Sequence, residues 1–170
     1  MDPSSTFYQT LTSVSFTLLG LWLTVMQLSH GSWRSDPGRH RATLHIGLHF
    51  FLPGLLGLFS LLGSSPGGSL LWRTVFVVGG LIGVLESLSY LRSGGIPHGR
   101  VHRTLSYLDP LLYAAVIVAA FLPKLVGTPL QVEGFVVGLI FGSGLCSAWL
   151  ALSERARPTP TPVAPAEAGR

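Results

Sequence analysis

Asparagine is absent from this chain, cysteine occurs once, at Cys146, and lysine once, at Lys124. Without Asn there is no N-glycosylation acceptor, and a lone Cys excludes an intramolecular disulfide, so nothing here depends on an oxidising compartment. Charge is scarce too: 11% of the 170 residues are charged, against about a quarter in a soluble domain. Met1 to Gln9 carries no Lys or Arg, and no small-residue cleavage site follows the first apolar run. That run therefore reads as a permanent helix rather than a cleaved leader. The phosphate-loop pattern Gly-x-x-x-x-Gly-Lys-[Ser/Thr] is missing, Gly94-Gly95 follows no strand, and no signature catalytic motif stands out. The net charge of +4 would suit a nucleic-acid binder. The basic residues sit beside hydrophobic ends rather than on a face of their own, so no nucleic-acid partner is expected.

What the chain has is apolar length. It is 48% hydrophobic, and its long runs fall at Thr6 to Ser29, Thr43 to Leu62, Leu71 to Leu91, Thr104 to Leu122 and Gln131 to Leu152. Each approaches the roughly 20 residues that cross about 30 Å of hydrocarbon. The fold class expected is an all-α integral membrane protein, a bundle of five transmembrane helices spanning residues 1–153. Residues 154–170, opening on Pro158-Thr159-Pro160-Thr161-Pro162, read as a disordered cytoplasmic tail.

Orientation follows from arginine. Arg34, Arg39 and Arg41 fill the first connector, Arg92, Arg100 and Arg103 flank the third, and Arg155 and Arg157 follow the last run. Residues 64–70 have no basic side chain, and Lys124 is the only one in the fourth connector. The positive-inside rule then puts the N-terminus outside and the C-terminus in the cytoplasm. Arg73, beside Trp72 on the outer side, reads as an interfacial anchor whose guanidinium snorkels to the headgroups. The abundance of Arg, Gly, Ala and Pro fits a GC-rich bacterial genome, which makes the expected location the inner (plasma) membrane.

Small and polar residues recur along the helices. Thr6, Thr10, Ser13, Thr17, Gly20, Thr24 and Gln27 alternate fours and threes on one face of the first run. That face is expected to meet protein or water, as a packing seam or as the lining of a hydrophilic path. Gly134, Gly138 and Gly142 in the fifth run, and Gly79, Gly83 and Ser87 in the third, repeat the close-approach pattern. Besides the lipid bilayer, the partner expected is a second copy or another membrane subunit.

The chemistry, if any, lies in a polar layer of the cytoplasmic leaflet. Counted inward along each helix, Glu86, His49 and Asp109 all lie about 8 to 9 Å deep, with His45 one turn below His49. Gln27, Thr24, Tyr90, Tyr113, Ser143 and Ser147 share that depth. An ionisable group within the membrane is a functional candidate by default. Glu86 is the expected ion- or proton-binding group, with His49, Asp109 and His45 as partners. His45 and His49 form His-x-x-x-His, which with Glu86 or Asp109 could ligate a metal ion; apart from that ion no cofactor is expected. Asp109 before Pro110 also reads as the cap of a helical segment that Pro110 opens. Glu133 suits the start of the fifth helix and pairs on paper with Lys124. Three readings stay open: a small proton or cation channel or transporter, a structural or assembly subunit, and a metal-dependent membrane enzyme or redox protein.

Overall fold

The computed structural model describes residues 3–28, 37–63, 69–93, 100–121 and 128–153. Arg34, Lys124, the turn at residues 64–68 and the tail at 154–170 lie outside them. Five helices follow in order: α1 Pro3–Leu28, α2 Pro37–Gly63, α3 Ser69–Arg92, α4 Arg100–Ala119 and α5 Pro129–Ser153, with no strand among the described residues. Proline opens three of them, at the first helical position where its missing N–H is no loss. At α5 the entry carries one half of a capping box, the Gln131 side chain reaching back to the Thr128 amide, beside a backbone turn. The Thr128 amide donates to the Gln131 side chain (3.1 Å), and the Gln131 amide donates back to the Thr128 carbonyl (2.9 Å).

Four helices are long and apolar enough to cross a membrane: α1, α2 from His40, α3 from Leu70 and α5 from Leu130. The fourth in sequence, α4, has 20 residues and carries Arg100, His102, Arg103 and Asp109, so composition does not place it with the others. It runs unbroken through Asp109-Pro110. Asp109 is therefore an interior residue of α4 and not the cap of a separate segment. Lacking an N–H, Pro110 leaves the carbonyl one turn back, on Ser106, without its helical donor, and the helix tolerates the loss.

Helix α2 packs against α3 and α5, and α4 closes the ring between those two. Helix α1 lies outside this four-helix ring, on α2 and the edge of α5. Leu52, Leu56, Trp72, Phe76, Val116, Ala120, Val137 and Ile140 form an apolar core in the half of the ring away from the Arg-flanked helix ends. Tyr8 and Leu11 of α1 complete that core, while Trp22 joins Ile46 and Phe50 in a smaller one.

The polar seam of α1 is not what packs. Tyr8, Leu11, Ser15 and Trp22 are its buried residues, whereas Thr6, Thr10, Ser13, Thr17, Gly20, Thr24 and Gln27 are all exposed. The seam thus faces away from the chain's own bundle. The physical reason is local. Thr10, Thr17 and Thr24 donate to carbonyls one turn back on the same helix at 2.8–2.9 Å, which satisfies their hydroxyls without a neighbour. The larger aromatic and aliphatic side chains then take the packed face.

Candidate metal centre

Each helix of the ring sends a polar side chain to one point in its core. Positions 45 and 49 are a turn apart on one face of α2, and both histidines are buried, at 2% and 1% exposure. Helix α3 supplies Glu86, α4 supplies Asp109 (1% exposed) and α5 supplies Ser143. Close approach of α5 makes the room: a Cβ on Gly144 would stand 2.5 Å from the Cβ of His49. Convergence of side chains from facing helices is how bundles build metal and cofactor sites.

The hydrogen bonds constrain where the protons are. His49 Nδ1–H donates to the His45 carbonyl at 2.9 Å, which leaves a lone pair on Nε2. That nitrogen stands 3.2 Å from Asp109 Oδ1, has no hydrogen bond among the described residues, and faces an oxygen that already accepts the Ser143 hydroxyl at 2.6 Å. His45 lies between two carboxylates, Nδ1 2.6 Å from Glu86 Oε2 and Nε2 3.2 Å from Asp109 Oδ2. A protonated ring donates to both; a neutral one keeps its proton at the shorter contact and leaves a lone pair on Nε2. In the neutral form two imidazole nitrogens converge on one carboxylate, a set of acceptors costly to bury without a proton or a metal cation among them.

The spacing leaves room for a small ion. Each histidine Nε2 stands 3.2 Å from one of the two Asp109 oxygens, a separation of the order of the roughly 3.3 Å between tetrahedral Zn(II) ligands. One donor atom from each of His45, His49 and Asp109 falls within 4.8 Å of the others. Each histidine also has the outer partner that ligating imidazoles use, a carboxylate for His45 and a backbone carbonyl for His49.

Around this trio the supports continue. Arg41 Nη2 lies 3.9 Å from Glu86 Oε1 and donates to Ser89 Oγ at 2.5 Å. Tyr90 stacks flat on the His45 ring, 4.2 Å between centroids and 9° from parallel, and its hydroxyl meets His102 Nε2 at 3.2 Å. Tyr113 presents its ring to His49 at 65° and 5.6 Å. Its hydroxyl is buried with no hydrogen-bond partner among the described residues.

Of the residues picked out by sequence, His45, His49, Glu86 and Asp109 all meet here. Of the two carboxylates the sequence offered, Asp109 stands between the histidines and Glu86 lies on the other nitrogen of His45. Thr10, Ser13, Thr17, Thr24 and Gln27 lie on the outward face of α1, away from the cluster. Arg41 and His102 escaped the sequence reading because they sit among arginines that topology alone explains. Arg41 is nonetheless four residues before His45, on the same helical face. Comparison with protein-family models, curated proteins and solved structures gives no match to this chain. Fold and site together define an all-helical protein with membrane-length helices and a buried histidine–carboxylate centre.

Proposed function

We propose that this chain is a metal-dependent membrane enzyme or redox protein. His45, His49 and Asp109 bind one divalent transition-metal ion, Zn(II) or Fe(II), inside the helical ring. The observation that carries this reading is the pair of converging acceptors, His49 Nε2 and Asp109 Oδ1 at 3.2 Å, with the His49 proton committed to the His45 carbonyl. Three protein ligands leave a fourth position on a tetrahedral ion, the hallmark of catalytic rather than structural zinc sites. The two-His, one-carboxylate set also suits Fe(II).

The conduit reading has less support. Between His49 and the buried Ser60 and Glu133 of the far half, the ring interior is filled by Leu52, Leu56, Phe76, Val116, Val137 and Ile140, an apolar stretch that interrupts any polar path. In this proposal α4 crosses the membrane with the other four helices, its polar side chains turned into the ring. The arginine-flanked ends face the cytoplasm, the N-terminus lies outside, and the location is the plasma membrane. The outward polar seam of α1 supports a second copy or a partner subunit alongside.

The test is metal uptake. Purified full-length protein, stripped with chelator and titrated with Zn(II) or Fe(II), is expected to take up one equivalent. His49→Ala is expected to take up none while keeping its helical circular dichroism. Wild-type protein that stays helical and binds neither ion overturns the reading.

A further inference from the structure

Tyr113 brings a buried hydroxyl to the centre that none of its contacts uses. The side chain is 1% exposed and its hydroxyl has no hydrogen-bond partner among the described residues. Its place is nonetheless tightly determined. The ring lies on Gly83, where any Cβ would overlap its atoms, and against the edge of His49. It follows Asp109 by one helical turn. Helical side chains lean toward the N-terminus of their helix, so the phenol leans over the turn that bears Asp109. A glycine kept clear for a ring, and a buried donor with no acceptor beside a three-ligand set, are explained together by an acceptor that arrives with the metal.

We infer that Tyr113 donates a hydrogen bond to an oxygen ligand in the fourth coordination position of the ion held by His45, His49 and Asp109. The inference rests on the metal reading above. The ligand class is an oxygen donor with a lone pair to spare after binding the metal: water or hydroxide, a carboxylate, or a carbonyl. The hydroxyl would then position that oxygen and favour charge developing on it, as donors aimed at a reacting oxygen do. A nitrogen heterocycle such as imidazole, once ligated, offers only an N–H outward and gains nothing from Tyr113.

The experiment uses the Co(II)-loaded full-length protein, with ligand binding followed by its visible absorption. Tyr113→Phe is expected to take up one equivalent of Co(II) like wild type and to bind acetate about tenfold more weakly, the loss of one hydrogen bond to a charged group. Its affinity for imidazole should be unchanged, which a merely structural role would not reproduce. Equal acetate affinity in the two proteins overturns the role of Tyr113 and leaves the metal reading standing. Loss of Co(II) binding from a still-helical Tyr113→Phe variant also overturns it, because the phenol would then be a ligand. Wild-type protein that binds no Co(II) overturns both.

Discussion

His49 Nε2 and Asp109 Oδ1 face each other at 3.2 Å as two acceptors, because the imidazole proton is held on the opposite nitrogen by the His45 carbonyl. The carboxylate is shared with His45, whose Nε2 meets its other oxygen. These two nitrogens and two oxygens are the atoms on which the proposed metal site rests.

Asp109→Asn should therefore separate stability from binding. The amide oxygen keeps the Ser143 hydroxyl, and an amide N–H in place of Oδ2 donates to the His45 lone pair. The metal-free variant is expected to be as stable as wild type or more so, by about 1 kcal/mol, while taking up no metal. Thermal unfolding in detergent, read beside metal analysis, checks both halves.

Glu86→Gln tests the outer partner. The Gln carbonyl still accepts the His45 Nδ1 proton, but the charge opposite Arg41 is gone. Changing such a partner costs about 10- to 100-fold in metal affinity and leaves the ligands in place. A competitive chelator titration should show one equivalent bound more weakly, whereas loss of the equivalent would make Glu86 a ligand.

Glycine substitutions separate the faces of α5. Gly144→Ala drives a methyl against His49 and should destabilise by about 1 to 3 kcal/mol through overpacking, with metal binding impaired. At Gly142 a Cβ meets nothing within 4 Å. Ala there should be neutral or stabilise by about 0.5 to 1 kcal/mol through helix propensity. Unfolding curves of the two variants side by side would show the contrast.

Glu133 is fully buried at the opposite end of α5, and neither carboxylate oxygen has a hydrogen-bond partner among the described residues. Replacing such a group with an apolar side chain of similar volume removes a desolvation penalty. Glu133→Met should stabilise the protein by about 1 to 3 kcal/mol, visible as a higher unfolding temperature.

Much of this was readable in the sequence, for identifiable reasons. Helix number followed from apolar length, and the layer containing His45, His49, Glu86 and Asp109 followed from a fixed rise per residue. Rise gives depth but not the rotation of one helix against another. Depth alone could not decide whether Asp109 or Glu86 stands between the histidines. Asp109-Pro110 looked like a helix start because the same dipeptide opens helices elsewhere, and inside α4 only the cluster contacts explain it. On α1 polarity suggested the packed face, and the volume of Tyr8, Leu11 and Trp22 decided otherwise. Composition marks α4 as less apolar than the rest because its polar side chains His102, Ser106 and Asp109 are buried within the protein.

X-ray absorption at the zinc edge of the reconstituted full-length protein looks at the ion itself. One ion per chain is expected, with four nitrogen or oxygen neighbours at about 2.0 Å. Multiple scattering should show two imidazoles, one of which disappears in His49→Ala. A spectrum without imidazole scattering, or one unchanged by His49→Ala, would contradict the proposed metal site.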